Sequence, residues 1–412
     1  MTKERYNIFI NTHDLGIIKT AECILVEDHG VLTEFGFRYT NEYLENPAAF
    51  SLDPVLLPLH RGNLELTCTG GIPGLIDDYL PDAWGRKVLS QLAFYRDKIR
   101  LNGNSAIESL SILGRSRIGA IQIIRPDQSP DFGLGAHIAE LAKAENIAQQ
   151  VDAPDFNDFN PDEISLLYLA NNGTGIGGAR PKALIYDETG AYIAKFNRFT
   201  QDSYNNARVE KTCLDMANSI GITDRKATIH AGINGREVLL IDRFDINENS
   251  SRNHLVSINS LLKQPETQRD FYGAFRYDDI YNIIQQYSGD ITTDLEKLLK
   301  TMLFNRMINN TDDHERNFSL QFNGNHYHLS PAYDMVPSLQ KGSYHAAGFQ
   351  HFPSPPKLSE VSKFGRIFGL SKNRVAQCTE QIMSVGKQWQ EYAEKNAVEE
   401  QQIELIFSYF NF

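Results

Sequence analysis

No part of this 412-residue chain constrains its folding more than the run from Leu298 to Leu329, where three kinds of patterning follow one another without a break. Leu298, Leu299, Met302, Leu303, Phe304, Met307 and Ile308 recur at the spacing of one helix face, which predicts a buried helix. That helix runs into Asn309-Asn310-Thr311-Asp312-Asp313-His314-Glu315-Arg316-Asn317, a cluster of amides, carboxylates and an imidazole. Phe318-Ser319-Leu320-Gln321-Phe322 then alternates apolar with polar, Asn323-Gly324-Asn325 supplies turn residues, and Tyr327-His328-Leu329 resumes, which reads as a hairpin. The polar cluster therefore lies between two apolar segments. Ser330-Pro331-Ala332-Tyr333-Asp334 brings a further carboxylate just past the hairpin.

The length exceeds what one hydrophobic core usually serves, so two or three packed units are expected. A formal charge of −12 and a pI near 5.4 argue against a surface that blankets a phosphate backbone, so direct nucleic-acid binding is not expected. Cys23, Cys68, Cys213 and Cys378 are scattered without paired spacing and read as buried thiols rather than a zinc site or disulfide framework. The first strand-like run is too short and polar for a signal-peptide core, and no apolar stretch approaches a membrane span. A cytoplasmic location is expected.

Along the chain, Tyr6-Asn7-Ile8-Phe9-Ile10, Ala21 to Val26 and Thr33 to Phe37 read as strands of a small sheet. Leu75 to Arg86 leads into a helical pattern through Val88, Leu89 and Leu92, and Gly114 to Ile121 gives a turn and another strand. Arg115 and Arg117 read as ordinary turn and surface arginines, with an acidic partner as the alternative. The acidic segment Asp152 to Asp162 marks a boundary, which gives units at 1–150, 151–250 and 251–412. Helical patterning dominates from about residue 275, over Tyr277 to Tyr287, Leu295 to Ile308, Lys372 to Val385 and Val398 to Phe410, while Leu339 to Leu358 reads as a passive connecting loop, with a lid or partner-binding loop as the alternative.

The second unit opens on Asn171-Asn172-Gly173-Thr174-Gly175-Ile176-Gly177-Gly178-Ala179-Arg180-Pro181-Lys182, with four glycines in six positions. Such a loop either lets backbone amides cradle an anion, with Lys182 adding a point charge, or is a flexible turn. In the following strands, Lys195 stands among the apolar residues of Ala191 to Phe196 and either snorkels to solvent or reaches phosphates. Ala207 to Ile220 reads as a helix, and Glu210 in its first turn is a candidate partner for Lys195. Glu237 to Ile241 is an apolar strand that turns charged at Asp242-Arg243-Phe244-Asp245, either a nucleotide-pocket hinge or a strand exit.

Glycine loop, strand lysine, helix glutamate, hinge, then a helical lobe with Asp and Asn and a further Asp is the order that phosphoryl transfer requires. That reaction asks the protein for positioning, metal neutralisation of phosphate charge and a carboxylate facing the acceptor hydroxyl. Asp312 is the candidate base, Asn317 and Asp334 the candidate Mg²⁺ oxygens. His314 orients the loop or touches phosphate, or is a loop histidine bonded to backbone; Asp313, Glu315 and Arg316 read as solvent-facing or structural. A hydrolytic zinc or manganese site at His314, Asp312 and Asp334 is the alternative, though it leaves the glycine loop and lysine without a use.

These residues together resemble the HipA-type serine/threonine kinases, toxins of bacterial toxin–antitoxin pairs. Asn310 to Ser319 is similar to that family's catalytic loop, Ser330 to Asp334 to its metal-binding segment with Tyr333 and Asp334, Gly177-Gly178-Ala179-Arg180-Pro181-Lys182 to its ATP loop, Lys195 to its phosphate lysine and Asp242-Arg243-Phe244 to its hinge. Leu80-Pro81-Asp82 and Ile118-Gly119-Ala120 resemble motifs of its amino-terminal domain. The resemblance implies an α+β, protein-kinase-like two-lobed core with a mixed N-lobe, a mainly helical C-lobe and an N-terminal β-rich subdomain. It further implies ATP as donor, Mg²⁺, and a serine or threonine acceptor on a protein such as an aminoacyl-tRNA synthetase. The implied partner is a small helix-turn-helix antitoxin, with DNA contacted only through it. A second reading is a catalytically weak ATP-binding protein acting through such a partner as co-repressor. One departure stands out: Gly175 occupies the place of the family's autophosphorylated serine, with Thr174 adjacent as the only nearby hydroxyl. Asn309 stands where the family often has glycine, a change that asparagine's tolerance of left-handed backbone angles permits.

Overall fold

The structure is a computed structural model and describes residues 1–114, 116–152, 180–198, 202–247, 249–266, 274–340 and 344–412. The first unit is an antiparallel sheet of β1 (Thr2–Thr12), β2 (Gly16–Asp28), β3 (Val31–Tyr39), β4 (Leu64–Thr67) and β5 (Ile121–Ile124), in the order β4-β3-β2-β1-β5. Its register follows the alternation in the sequence: Tyr6, Ile8 and Ile10 are buried while Asn7, Phe9 and Asn11 stay half-buried. His29 and Gly30 between β2 and β3 both take positive φ, the backbone that a two-residue hairpin turn needs.

The second sheet is β6 (Ala136–His137), β7 (Lys182–Tyr186), β8 (Ala191–Phe196), β9 (Ala227–Ala231) and β10 (Glu237–Asp242), ordered β6-β7-β8-β10-β9 with β6 parallel to β7. Side chains alternate across it. Ala183, Ile185, Ala194, Phe196, Val238 and Leu240 pack under the helices Ala83–Asp97 and Leu141–Asp152. Lys182 and Leu184, which pair in register with Lys195 and Ile193, occupy the opposite face. The helix Asn206–Ser219 covers Leu239 and Ile241 on that face. β6 precedes the expected division at 150/151 and the helix Leu141–Asp152 runs across it, yet β6 pairs with β7 and the helix packs on the second sheet. Acidic, proline-containing composition marked the end of that helix, whereas the unit boundary is set by strand pairing.

The third unit is mainly helical, with Tyr277–Tyr287, Ile291–Met307, Lys372–Lys387, Trp389–Lys395 and Glu400–Phe407. The helix Ile291–Met307 starts one turn before the apolar pattern because Asp290 caps it, accepting from the Thr293 amide. The helix expected over 398–410 is shorter, and a separate helix precedes it; Ala397, at φ 54, breaks the pair. The expected hairpin forms as β12 (Ser319–Phe322) and β13 (Tyr327–Leu329), and gains β11 (His254–Ser257) as a third strand.

Buried arginines knit the units together. Arg243 pairs with Asp245 at 2.7 Å and donates to the Arg117 carbonyl at 2.8 Å, while Asp245 accepts from the Gly119 amide at 2.7 Å. Arg252 donates to the same Arg117 carbonyl at 2.6 Å. Arg117 is itself buried, its guanidinium over the Tyr79 ring at 4.3 Å, which corrects its reading as a surface residue. Carbonyls of an irregular segment need donors when water is excluded, and long side chains from two other elements supply them. Arg115 lies outside the described residues. Among the described residues no helix is long and apolar enough to cross a membrane.

Candidate active site

The face of the second sheet that carries Lys182 and Lys195, together with the polar loop after the helix Ile291–Met307 and the segment from Asp334, lines a cleft of about 470 Å³ whose residues include Arg180, Lys182, Lys195, Asn310, Asp312 and Asp334. Lys195, on the central strand β8, points into it. Its Nζ lies 2.5 Å from Glu210 Oε1 and 2.7 Å from Asp334 Oδ1. The helix Asn206–Ser219 starts one residue before the expected Ala207, so Glu210 falls just past its first turn. Burial opposes the charge on Lys195, but Asp334 and Glu210 outweigh it and raise the ammonium's pKa. Burial also opposes ionisation of Asp334, yet Lys195, then Lys182, hold its carboxyl below the usual range. Glu210 is pushed up by burial, with Lys195 opposing and Asp334 adding. Asp334 takes a left-handed backbone, φ 57, which turns its carboxylate back toward β8.

The polar cluster leaves the helix Ile291–Met307 through Asn309, at φ 57, where an Asn side chain carries the left-handed angle. Asp312 stands at the cleft with 77 % of its side chain exposed. Its carboxyl is raised by desolvation first, with His314 opposing and Asp334 and Asp313 adding. His314 Nε2 lies 3.9 Å from Asp312 Oδ1, and its Nδ1 accepts from the Arg316 amide at 3.2 Å. The histidine thus both shapes the loop and faces the carboxylate. Asn317 Nδ2 donates to the Asp312 carbonyl at 2.7 Å, which directs Oδ1 away from it; Oδ1 is buried without a hydrogen-bond partner. A buried amide oxygen with nothing to accept from fits a hard cation, and Asp334 supplies an ionised carboxylate to the cleft that Asp312 lines.

Two of the families of protein models known for such sequences match here: the HipA-like C-terminal domain over residues 174–389 and the HipA N-terminal domain over residues 8–124. The chain belongs to the HipA family. A chain from the Shewanella oneidensis MR-1 toxin–antitoxin complex of HipA, HipB and operator DNA superimposes with a TM-score of 0.67 at 17 % identity, covering 99 % of this chain and 95 % of that one. The expected kinase-like, two-lobed α+β fold with a β-rich N-terminal unit is the one observed. A curated relative, "Putative kinase Y4mE" of Sinorhizobium fredii, is 27 % identical over 152 residues, 36 % of this chain; the match spans only 34 % of that relative's length.

Within this HipA-family chain the other sequence-selected residues fall into three groups. Arg180 lines the cleft and pairs with Asp202 at 2.8 Å, and the Pro181 carbonyl accepts from the Phe196 amide at 3.0 Å. Lys182 borders the cleft but its ammonium pairs at 2.8 Å with Asp82 of the preceding unit, an attachment its place in the glycine loop did not suggest. At the hinge, Asp242 ends β10, and Phe244 stacks on Tyr333 at 5.9 Å beside Leu184, Ile193 and Ile118. The Tyr333 hydroxyl donates to the Arg316 carbonyl at 3.0 Å and meets Ser319 Oγ at 2.8 Å, so only its ring serves that apolar patch. Arg243 points away from the cleft into the junction with Asp245, because the segment around Arg117 offers carbonyls and no solvent. Thr174, Gly175, Gly177, Gly178 and Ala179 lie outside the described residues.

Sequence reasoning missed Ile118 as part of the hinge patch, and Arg316 as a tie between units. The Arg316 guanidinium reaches Asp77 Oδ2 at 2.5 Å, and Lys263 reaches the same oxygen at 2.7 Å. It also read Asp313 as structural or solvent-facing; the residue is structural and fully buried. Alternation within Asn309 to Leu320 is too irregular to reveal which of its polar side chains turn inward.

Proposed function

We propose that this HipA-family chain is an ATP- and Mg²⁺-dependent serine/threonine protein kinase, the toxin of a toxin–antitoxin pair. The observation that carries the reading is Lys195 clamped between Glu210 and Asp334 in the cleft that Asp312 also lines; the unpartnered amide oxygen of Asn317, whose Nδ2 is bonded to the Asp312 carbonyl, supports it. Lys195 would hold a phosphate oxygen of ATP and release Asp334 to the metal side of the site. Asn317 and Asp334 would hold Mg²⁺, which neutralises phosphate charge as the bond to the leaving group lengthens. Asp312, exposed at the rim, would accept the hydroxyl proton of an incoming serine or threonine while His314 favours its ionised form. The apolar patch of Leu184, Ile193, Phe244 and Tyr333 would receive the nucleobase at the hinge. The glycine loop with Gly177, Gly178 and Ala179 would cover the phosphates.

The acceptor is a bacterial protein, an aminoacyl-tRNA synthetase being the candidate that family resemblance suggests. A small helix-turn-helix antitoxin is the proposed partner, in keeping with HipB and operator DNA in the Shewanella complex. Gly175 removes the usual autophosphorylated hydroxyl, so Thr174 is the place to look for a substitute. Transfer of label from γ-labelled ATP to proteins of a bacterial lysate tests the reading. Wild type should label a discrete band, and Asp312→Asn and Asp334→Asn should each lose it. Equal labelling by all three removes both carboxylates from the chemistry.

A further inference from the structure

A buried chain of polar side chains lies beneath the polar loop, and none of the roles above uses it. Asp313 follows Asp312 but turns inward. Its carboxylate accepts from Tyr277 Oη at 2.8 Å, from His345 Nδ1 at 3.2 Å and from the Ala347 amide at 3.1 Å. Arg306 Nη1 lies 3.1 Å from His345 Nε2, and a guanidinium only donates. Nε2 is therefore the acceptor, and the ring proton sits on Nδ1, aimed at Asp313. From Tyr277 Oη the chain continues to Asn305 Nδ2 at 3.1 Å, and Asn305 Oδ1 accepts from Asn310 Nδ2 at 3.1 Å. Asn310 delivers it to the cleft: its Oδ1 accepts from the Asp312 amide at 3.3 Å and its Nδ2 also donates to the Asp334 carbonyl at 3.3 Å.

We propose that this chain is the device that sets the Asp312 and Asp334 carboxylates relative to each other, with Tyr277, Asp313 and His345 as positioning residues. The proposal rests on the phosphoryl-transfer reading of the cleft. Asp312 is mostly exposed, so the direction of its side chain must come from its backbone, and Asn310 holds that backbone together with the Asp334 carbonyl. Asn310 is in turn referred to two helices, Tyr277–Tyr287 and Ile291–Met307, through Tyr277 and Asn305. A fully connected buried network of this kind transmits rigidity because each member lacks an alternative partner in water. Asp313 closes it from the other side by fastening the segment carrying His345 and Ala347.

Tyr277→Phe tests this with the smallest change, removing one oxygen while the ring keeps its edge contact with Phe318 at 5.5 Å. Amide hydrogen exchange on the full chain without nucleotide should quicken by about tenfold in peptides spanning residues 309–314 and 333–336, the loss of one network bond. In phosphoryl transfer, kcat should fall by about tenfold to a hundredfold, the cost of a small misplacement, with KM for ATP unchanged. His345→Asn, which keeps an N–H near Asp313 but is too short to place an acceptor where Nε2 meets Arg306, should give the same split in weaker form. Unchanged exchange in those peptides in both variants overturns the proposal, and so does faster exchange with kcat unaltered. A wild type that transfers no phosphoryl group would instead defeat the kinase reading, and the exchange measurement would still decide whether the chain positions the carboxylates.

Discussion

A lysine held between two buried carboxylates settles the charge balance of the cleft. Replacing Lys195 with Met leaves Glu210 and Asp334 buried without their cation, so stability at pH 7 should drop by about 3–5 kcal/mol. The sign with pH follows from the direction of each shift. Asp334, depressed by Lys195, adds stability above the ordinary carboxylate range and loses it on acidification. Without Lys195, burial is the largest influence left on both carboxyls, with Lys182 opposing it at Asp334, so both rise and protonation relieves the variant. Its deficit against wild type should narrow between pH 7 and pH 5 in urea melts; a deficit that widens contradicts the assignment. Asn317→Ala removes the unpartnered Oδ1 and should abolish the extra thermal stabilisation that Mg²⁺ adds to ATP binding, while ATP alone shifts the melting temperature as in wild type. At this scale the sequence was informative where chemistry was unusual, as with Lys195 in an apolar strand, and uninformative where two ordinary charges meet, as with Lys182 and Asp82.

Elements meet at particular backbone contacts as well as through side chains. Gly74 opens the helix Gly74–Tyr79 against the helix Ile258–Leu261, and a Cβ there would lie 2.6 Å from the Ser260 carbonyl oxygen. Gly74→Ala must therefore push the two apart, and should lower stability by about 1–3 kcal/mol as read by the urea midpoint. The same displacement moves Asp77 away from Arg316, so the polar loop around Arg316 should show faster exchange as well. A variant with wild-type stability would mean that the contact relaxes at no cost. Element type was legible in the sequence: Tyr277–Tyr287 was bounded correctly because its apolar periodicity coincides with its buried face. Element partners were not, and β11 is the example, since nothing in His254–Ser257 names the hairpin it joins.

Across the whole molecule, the first and second units are fastened by Arg243, Asp245 and the Arg117–Gly119 segment. Asp245→Asn would leave the fully buried Arg243 guanidinium without its counter-charge and should cost about 3–5 kcal/mol. Because that junction spans units, calorimetry should record one transition for wild type and two for the variant; two transitions already in wild type would show that the junction does not couple them. Local patterning by itself determined β1, β2 and β3 of the first sheet but not β4; it also determined the helical character after residue 275 and the order of glycine loop, lysine, hinge and polar loop, since each depends on residues close in sequence. Only the tertiary structure decided that β6 and its helix join the second sheet, that Arg243 turns from the cleft, and that Asp313 meets His345, 32 positions away. Those pairings depend on where rigid elements come to rest against one another. A buried donor takes whichever acceptor packing brings within reach, and spacing along the chain carries no record of that.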